Sequence, residues 1–417
     1  MLNNSEQDRA EGETPTIHHI IKSGKRQETR TINKIRDDND EQQETSKTIM
    51  KAFTNHFQRA SQPIEVQAES MKESVHRITQ SINREWNDAL MAPIVLEELK
   101  TAISQGKPNK APGVDGIGLE FYRLGWDIVE TELLQIMNIM YSEEALGAHQ
   151  ARGLMVCIPK TPNPTRISDY RPLTLLNSDC KILARVIVNR QKPILQVIIS
   201  PQQHCVMQGT SIFEAVATIR DVIANAEISH TPRCVKSFNL QAAFDRVSHQ
   251  YLEGTLRANG FSESFIRRIM GLYRNATSEI HINGFRSNSI PVKRSIRQGC
   301  PLSMLLYAIC INPLLQALED GITGVKTGNG RSGIATVPYA DDIAIFLTRR
   351  EETRKLQEML GTYQKASGAH INVDKSRAMA IGEWDATRRI MNIPYYGKIT
   401  ILGFTFKSKS NITNKEQ

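Results

Sequence analysis

At 417 residues, 40% hydrophobic and 23% charged, the chain has an ordinary globular composition with room for two or three domains of ~150 residues. Its formal charge of +8 favours a polyanionic partner, nucleic acid or a membrane surface. Six cysteines without a C-x-x-C pair argue against a zinc site or a disulfide framework. With no apolar signal core and no run near the ~20 residues of a membrane span, they fit a soluble, non-secreted intracellular protein of nucleus or cytoplasm.

Residues 1 to about 45 are polar and expected to be partly disordered, with Ile17–Ile21 and Thr31–Ile35 able to pair as a hairpin. Ile49, Ala52, Phe53 and Phe57 recur at helical spacing and predict a packing helix over about 44–60. Ile94, Leu96, Leu99 and Ile103 predict another, stopping before Gly106-Lys107-Pro108. The loop from Lys107 through Lys110 to Gly116 is rich in turn formers and basic at its start. It reads as a long turn or as a basic loop beside a phosphate backbone.

A helix through Phe121, Tyr122, Leu124, Trp126 and Ile128, then one through Leu133, Ile136 and Met140, lead to a strand over Leu154–Pro159 that ends at Lys160. Lys160 and Arg171 flank a short loop, either as solvated side chains or as two cations facing one anion such as a triphosphate. Helices follow through Ile182–Ile187 and over about 211–226. Val235–Leu240 alternates as a strand, with Val235, Ser237 and Asn239 on one face, and turns into a helix carrying Phe244 and Asp245. Ile280–Gly284 and Ser289–Val292 read as a hairpin. Arg297-Gln298-Gly299-Cys300-Pro301-Leu302-Ser303 precedes an apolar helix to about Leu318.

The run Val337–Phe346 is strand-like and apolar except for Asp341 and Asp342 side by side. Burying two like charges together is costly unless a cation compensates them, and Mg²⁺ is held by a few carboxylates plus substrate phosphates. A polar hairpin turn is the other reading, since Asp favours turns. A helix to about Lys365, the segment Asn372–Ser376 and a strand-like Ile399–Phe406 complete the chain.

The order and spacing of these motifs carry a resemblance. The chain resembles the reverse transcriptase domain of non-LTR (LINE-type) retrotransposon polyproteins over about residues 94–405. The matching stretches are the lysine-rich Ala-Pro-Gly-Val-Asp-Gly loop, Ile158-Pro159-Lys160, Tyr170-Arg171-Pro172-Leu173, Ala243 to His249, Arg297 to Ser303, and Tyr339-Ala340-Asp341-Asp342. The resemblance implies an α+β right-hand polymerase, with fingers over 91–232 and a palm with an antiparallel sheet over 233–405. A partly disordered then helical extension occupies 1–90, and 406–417 are the truncated start of a thumb that is largely missing.

It implies an RNA-directed DNA polymerase working by two-metal nucleotidyl transfer with Mg²⁺, Mn²⁺ being possible, on an RNA template, a DNA primer and dNTPs. Asp341 and Asp342 match two metal-binding carboxylates, and Asn239 stands where the third is expected. Lys160 and Arg171 match triphosphate contacts. Phe244 matches a gate against the ribose 2′-hydroxyl or a core aromatic, and Gln298 and Gly299 match the loop under the templating pair. Lys375 matches a lysine that protonates pyrophosphate or is an exposed base after a turn. Lys107, Lys110, Arg297 and Gly403 are expected along the nucleic acid.

Three further departures from the family pattern accompany Asn239. Gln208-Gly209-Thr210 replaces Pro-Gly-Arg, Met304 replaces a helix-starting proline, and Ser295 replaces a glycine. Catalysis is therefore expected to be impaired by Asn239. The alternative is a non-catalytic nucleic-acid-binding remnant of a decayed element copy.

Overall fold

A computed structural model describes residues 31–408 apart from 208, 230, 327–332, 387–388 and 390. One arm of the expected first hairpin, Ile17–Ile21, lies outside those residues; β1 (Ile35–Arg36) pairs instead with β2 (Gln42–Gln43). α1 (Ser46–Ala60) begins where Thr45 and Thr48 cap each other, and it buries Ile49, Ala52, Phe53 and Phe57. α2 (Ala68–His76) and α3 (Arg84–Met91) each bury a single residue, too few for apolar spacing to reveal them. α4 (Leu96–Ser104) follows as expected. α5 (Leu119–Leu124) and α6 (Trp126–Ser142) divide at Gly125, a poor helix former that caps both, rather than after Ile128.

β3 (Arg152–Pro159), β4 (Tyr170–Leu176), α7 (Ser178–Ile198), α8 (Ile212–Ile228) and β5 (Arg233–Asn239) come next. The helix expected to carry Phe244 and Asp245 does not form. Residues 241–246 are turns in which Ala242 takes φ 48°, and left-handed backbone cannot continue a right-handed helix. α9 (His249–Ala258) starts only after Ser248.

α10 (Glu263–Arg274), β6 (Thr277–Ile282), β7 (Phe285–Arg286), β8 (Ile290–Pro291) and α11 (Ser303–Gly321) lead to β9 (Thr336–Tyr339) and β10 (Asp342–Leu347). The run around the two aspartates is thus a hairpin. Beyond α12 (Glu352–Ser367) lie β11 (Arg377–Ile381), β12 (Lys398–Ile401) and β13 (Phe404–Lys407). Leu402 and Gly403, at φ 55° and 82°, fold the expected last strand into a second hairpin.

Two sheets organise the chain. One is antiparallel, in the order β11-β5-β10-β9; the other, β4-β3-β6-β7 with β8 also on β6, contains one parallel pairing, β3 with β6. Alternation along β5 works as expected: Val235 joins Val337, Phe346 and Met379 against α8, while Cys234 and Phe238 enter the main core with α9, α11 and α12. A third cluster seats α1 on β6 and β8 through Phe53, Ile280 and Ile290. Among the described residues no helix is long and apolar enough to cross a membrane.

Candidate active site

The antiparallel register of β5 and β10 places Asp342 directly opposite Asn239, at the end of the sheet. Asp341 sits one residue earlier in the β9–β10 turn. Ala340 takes φ 55° there and donates its N–H to Gln203 Oε1 at 3.0 Å. Burial pushes both carboxyls above the usual range. Arg171 opposes this at Asp341; at Asp342 the Asp341 charge adds to it and the Asn239 amide opposes it.

Asn239 is fixed through its backbone. Its N–H donates to Ser376 Oγ at 3.2 Å, and its carbonyl accepts from Asn372 N–H at 2.8 Å. Asn372 Oδ1 in turn accepts the Lys375 N–H at 3.1 Å, so the 372–376 turn is tied to the end of β5. Lys375 and Arg171 both lie close enough to Lys160 for their charges to act on it. Burial lowers the Lys160 pKa first, and the Lys375 and Arg171 charges lower it further. Lys160 Nζ donates to the Ser168 carbonyl at 2.8 Å, and Arg171 stands opposite Ile158 across β3–β4. Three cations and two carboxylates therefore share one end of the two sheets.

Phe244 stacks on Tyr307 with ring centroids 4.6 Å apart, and its carbonyl accepts the Ile296 N–H at 2.8 Å. Gln298 Nε2 donates to both oxygens of Asp245, at 2.9 and 3.1 Å, and the Gln298 carbonyl accepts the Thr174 N–H at 2.9 Å. This link between the 241–246 turns and β4 has no signal in the sequence. Desolvation pushes Asp245 up to about 6 despite Gln298, Lys160 and Arg294. Gly299 needs its hydrogen: φ is 104°, and a Cβ there would lie 2.4 Å from the Thr174 carbonyl oxygen.

Asp341, Asp342 and the Asn239 amide carbonyl are all hard oxygen donors. That set suits Mg²⁺ held jointly with substrate phosphates. It carries two negative charges rather than three. Among the described residues no three His, Cys, Asp or Glu side chains gather as a metal cage.

The family model for reverse transcriptase (RNA-dependent DNA polymerase) matches residues 158–406. The chain belongs to that family. Its relatives place it among reverse transcriptase domains of non-LTR retrotransposons. It is 32% identical over 301 residues to the Transposon TX1 uncharacterized 149 kDa protein of Xenopus laevis, covering 72% of this chain and 23% of that protein. It is 27% identical over 335 residues to the RNA-directed DNA polymerase from mobile element jockey of Drosophila funebris, covering 77% of this chain and 35% of that one. The chain thus spans about a quarter to a third of the curated relatives' length. A solved apo telomerase from Candida tropicalis, truncated from its C-terminal domain, aligns at TM-score 0.44 and 12% identity over 69% of this chain and 65% of that one.

The mixed α/β sheets fit a polymerase fold, and the remaining expected residues of this reverse transcriptase domain divide by exposure. Lys107 and Lys110 are exposed on a loop anchored to α7: Ser178 Oγ donates to the Ile117 carbonyl at 2.7 Å and Lys181 Nζ to the Ala111 carbonyl at 3.2 Å. Gly403 lies in the β12–β13 turn with open space around it. Arg297 differs from expectation. It is 5% exposed, donates to the Leu272 carbonyl at 3.0 Å and lies over the Tyr273 ring, so its side chain faces inward rather than toward a strand of nucleic acid. The Leu272 carbonyl, left free in the last turn of α10, claims it together with the Ala151 carbonyl.

Proposed function

We propose that the chain is the catalytic region of an RNA-directed DNA polymerase from a LINE-type element, with fingers over 91–232 and palm over 233–405. Residues 1–90 form an extension, and a thumb begins at 406. Its substrates are an RNA template, a DNA primer and dNTPs. One observation carries the reading: Asn239 faces Asp342, beside Asp341 and next to the Lys160, Arg171 and Lys375 cluster.

Asp341, Asp342 and Asn239 would hold the divalent ions, Mg²⁺ or Mn²⁺, which supply activation of the primer hydroxyl and charge neutralisation at the leaving pyrophosphate. Lys160 and Arg171 neutralise the incoming triphosphate, where a guanidinium fork suits paired phosphate oxygens. Lys375 supplies a proton to the departing pyrophosphate. Phe244, held flat on Tyr307, excludes a ribose 2′-hydroxyl, and Gln298 and Gly299 support the templating pair. Lys107, Lys110 and Gly403 line the path of the nucleic acid.

Asn239 impairs this chemistry. An amide keeps one oxygen donor and removes a negative charge, and losing ~4 kcal/mol of transition-state stabilisation slows the reaction about a thousandfold. Primer extension on an RNA template, with Mg²⁺ or Mn²⁺, is expected to be barely detectable for the parent chain and robust for Asn239→Asp. Equal, robust extension by both sinks the impairment. Hybrid binding without extension by either favours the second reading, a non-catalytic nucleic-acid binder.

A further inference from the structure

Residues 293–296 run alongside the turns at 244–247. Ser295 N–H donates to the Val247 carbonyl at 2.9 Å and Ile296 N–H to the Phe244 carbonyl at 2.8 Å. This pairing brings Arg246 and Arg294 together. Arg294 is 9% exposed and Arg246 is half-buried.

Each guanidinium is held by its Nε. Arg294 Nε donates to the carbonyl of Ala60, the last residue of α1, and Arg246 Nε donates at 3.3 Å to Gly368, just past α12. A guanidinium has five N–H donors, so four remain on each fork. Among the described residues neither arginine makes an ion pair or a further side-chain hydrogen bond, and none of their terminal nitrogens is sealed from solvent.

The charge around them is unbalanced. Burial lowers the pKa of both arginines, and Arg246 lowers that of Arg294 further. The acid acting on Arg294 is Asp245, whose two oxygens already accept from Gln298 and which Lys160 also draws on. Capping the carbonyls at two helix ends explains the Nε bonds. It does not explain two cations side by side whose forks find no partner among the described residues.

We propose that Arg246 and Arg294 form a two-pronged site for one phosphodiester group of a bound nucleic-acid strand. The site rests on the reading of the chain as a template- and primer-binding domain. Two pre-set forks suit the paired oxygens of a phosphodiester, and helix-end carbonyls have already restricted the side-chain rotamers, so little entropy is lost on binding. Arg294 acts on Asp245, but neither arginine is among the charges acting on Lys160, so the pair is assigned to the strand rather than to the nucleotide.

The test is fluorescence anisotropy of a labelled RNA–DNA hybrid with the full chain between 50 and 200 mM salt, each concentration being about what resolves counterion release. Arg246→Gln and Arg294→Gln are each expected to weaken binding roughly tenfold at the low-salt end. Each should also flatten the log K against log salt slope by about one, the signature of a lost phosphate contact. Binding of a labelled dNTP should be unchanged. Arg294→Lys and thermal melts separate site from scaffold: a folded lysine variant that keeps the charge but not the fork should bind between parent and glutamine forms. Parent-like hybrid affinity and slope in folded variants overturns the site. Loss of dNTP binding with hybrid binding intact also overturns it. No hybrid binding by the parent chain at low salt overturns the underlying nucleic-acid reading instead.

Discussion

Asn239 stands opposite Asp342 in the β5–β10 ladder, one residue from Asp341. Backbone register makes position 239 part of the carboxylate site whatever side chain it carries. Asn239→Asp therefore adds a third acid beside two carboxyls whose burial already resists ionisation. In chelator the variant is expected to melt below the parent. Excess Mg²⁺ should then raise its stability by about 1–3 kcal/mol more than the parent's, as binding to the folded state alone requires. Identical Mg²⁺ responses in differential scanning calorimetry would show that position 239 does not reach the ion.

Lys236 is a cost carried in the core. It is 0% exposed on β5, its Nζ has no hydrogen-bond partner among the described residues, and it lies 5.9 and 5.8 Å from the ring centroids of Phe238 and Tyr395. Burial lowers its pKa to about 8. The unfolded chain binds this proton more tightly, so stability falls as pH drops from the unfolded pKa near 10.5 through 8, and is flat below. Lys236→Met is expected to gain about 2–3 kcal/mol at pH 7. Its advantage over the parent in urea melts should shrink as pH rises from about 8 to 10.5. A pH-independent difference would mean the lysine is already neutral or solvated.

Ser295 adopts φ 91°, where a side chain is strained and a glycine is not. Its backbone is committed on both sides: the N–H bonds Val247, and the carbonyl lies 2.9 Å from His249 Nε2. Neither bond needs the hydroxymethyl group. Ser295→Gly should stabilise the chain by about 1 kcal/mol, seen as a higher melting temperature. A lower one would show that the serine side chain does more than fill space.

Gly299→Ala should do the reverse. The added methyl would meet the Thr174 carbonyl oxygen, part of β4 and not a side chain that can swing away. The loop must then lift, breaking the Thr174 N–H bond to Gln298. A loss of about 2–4 kcal/mol is expected, together with faster hydrogen exchange at the Thr174 amide. Exchange unchanged from the parent would place the slack elsewhere.

Local patterns were readable where one residue type repeats against one core. α1 and α8 follow their apolar spacing, and β5 follows its alternation. α2 and α3 were not, because each fully buries one residue, Ser74 and Leu90, and otherwise meets the core through the partly buried Met71, Val75, Trp86 and Met91. Arg297 shows the limit for charge. An arginine in a loop beside a conspicuous motif suggests a phosphate contact, but carbonyls from Leu272 and Ala151 occupy it.

By itself the sequence determined the family, through short motifs in a fixed order, and the identity of every charged group near the site, including the amide at position 239. Tertiary structure alone decided which of those groups meet. Ladder register set Asn239 against Asp342, and the joining of two sheets brought Arg171 and Lys375 near enough for their charges to act on Lys160. Pairing of two turns left Arg246 and Arg294 side by side. The reason is one of range: periodicity and turn chemistry act over a few residues, whereas register, desolvation and charge sharing depend on partners far away in the chain.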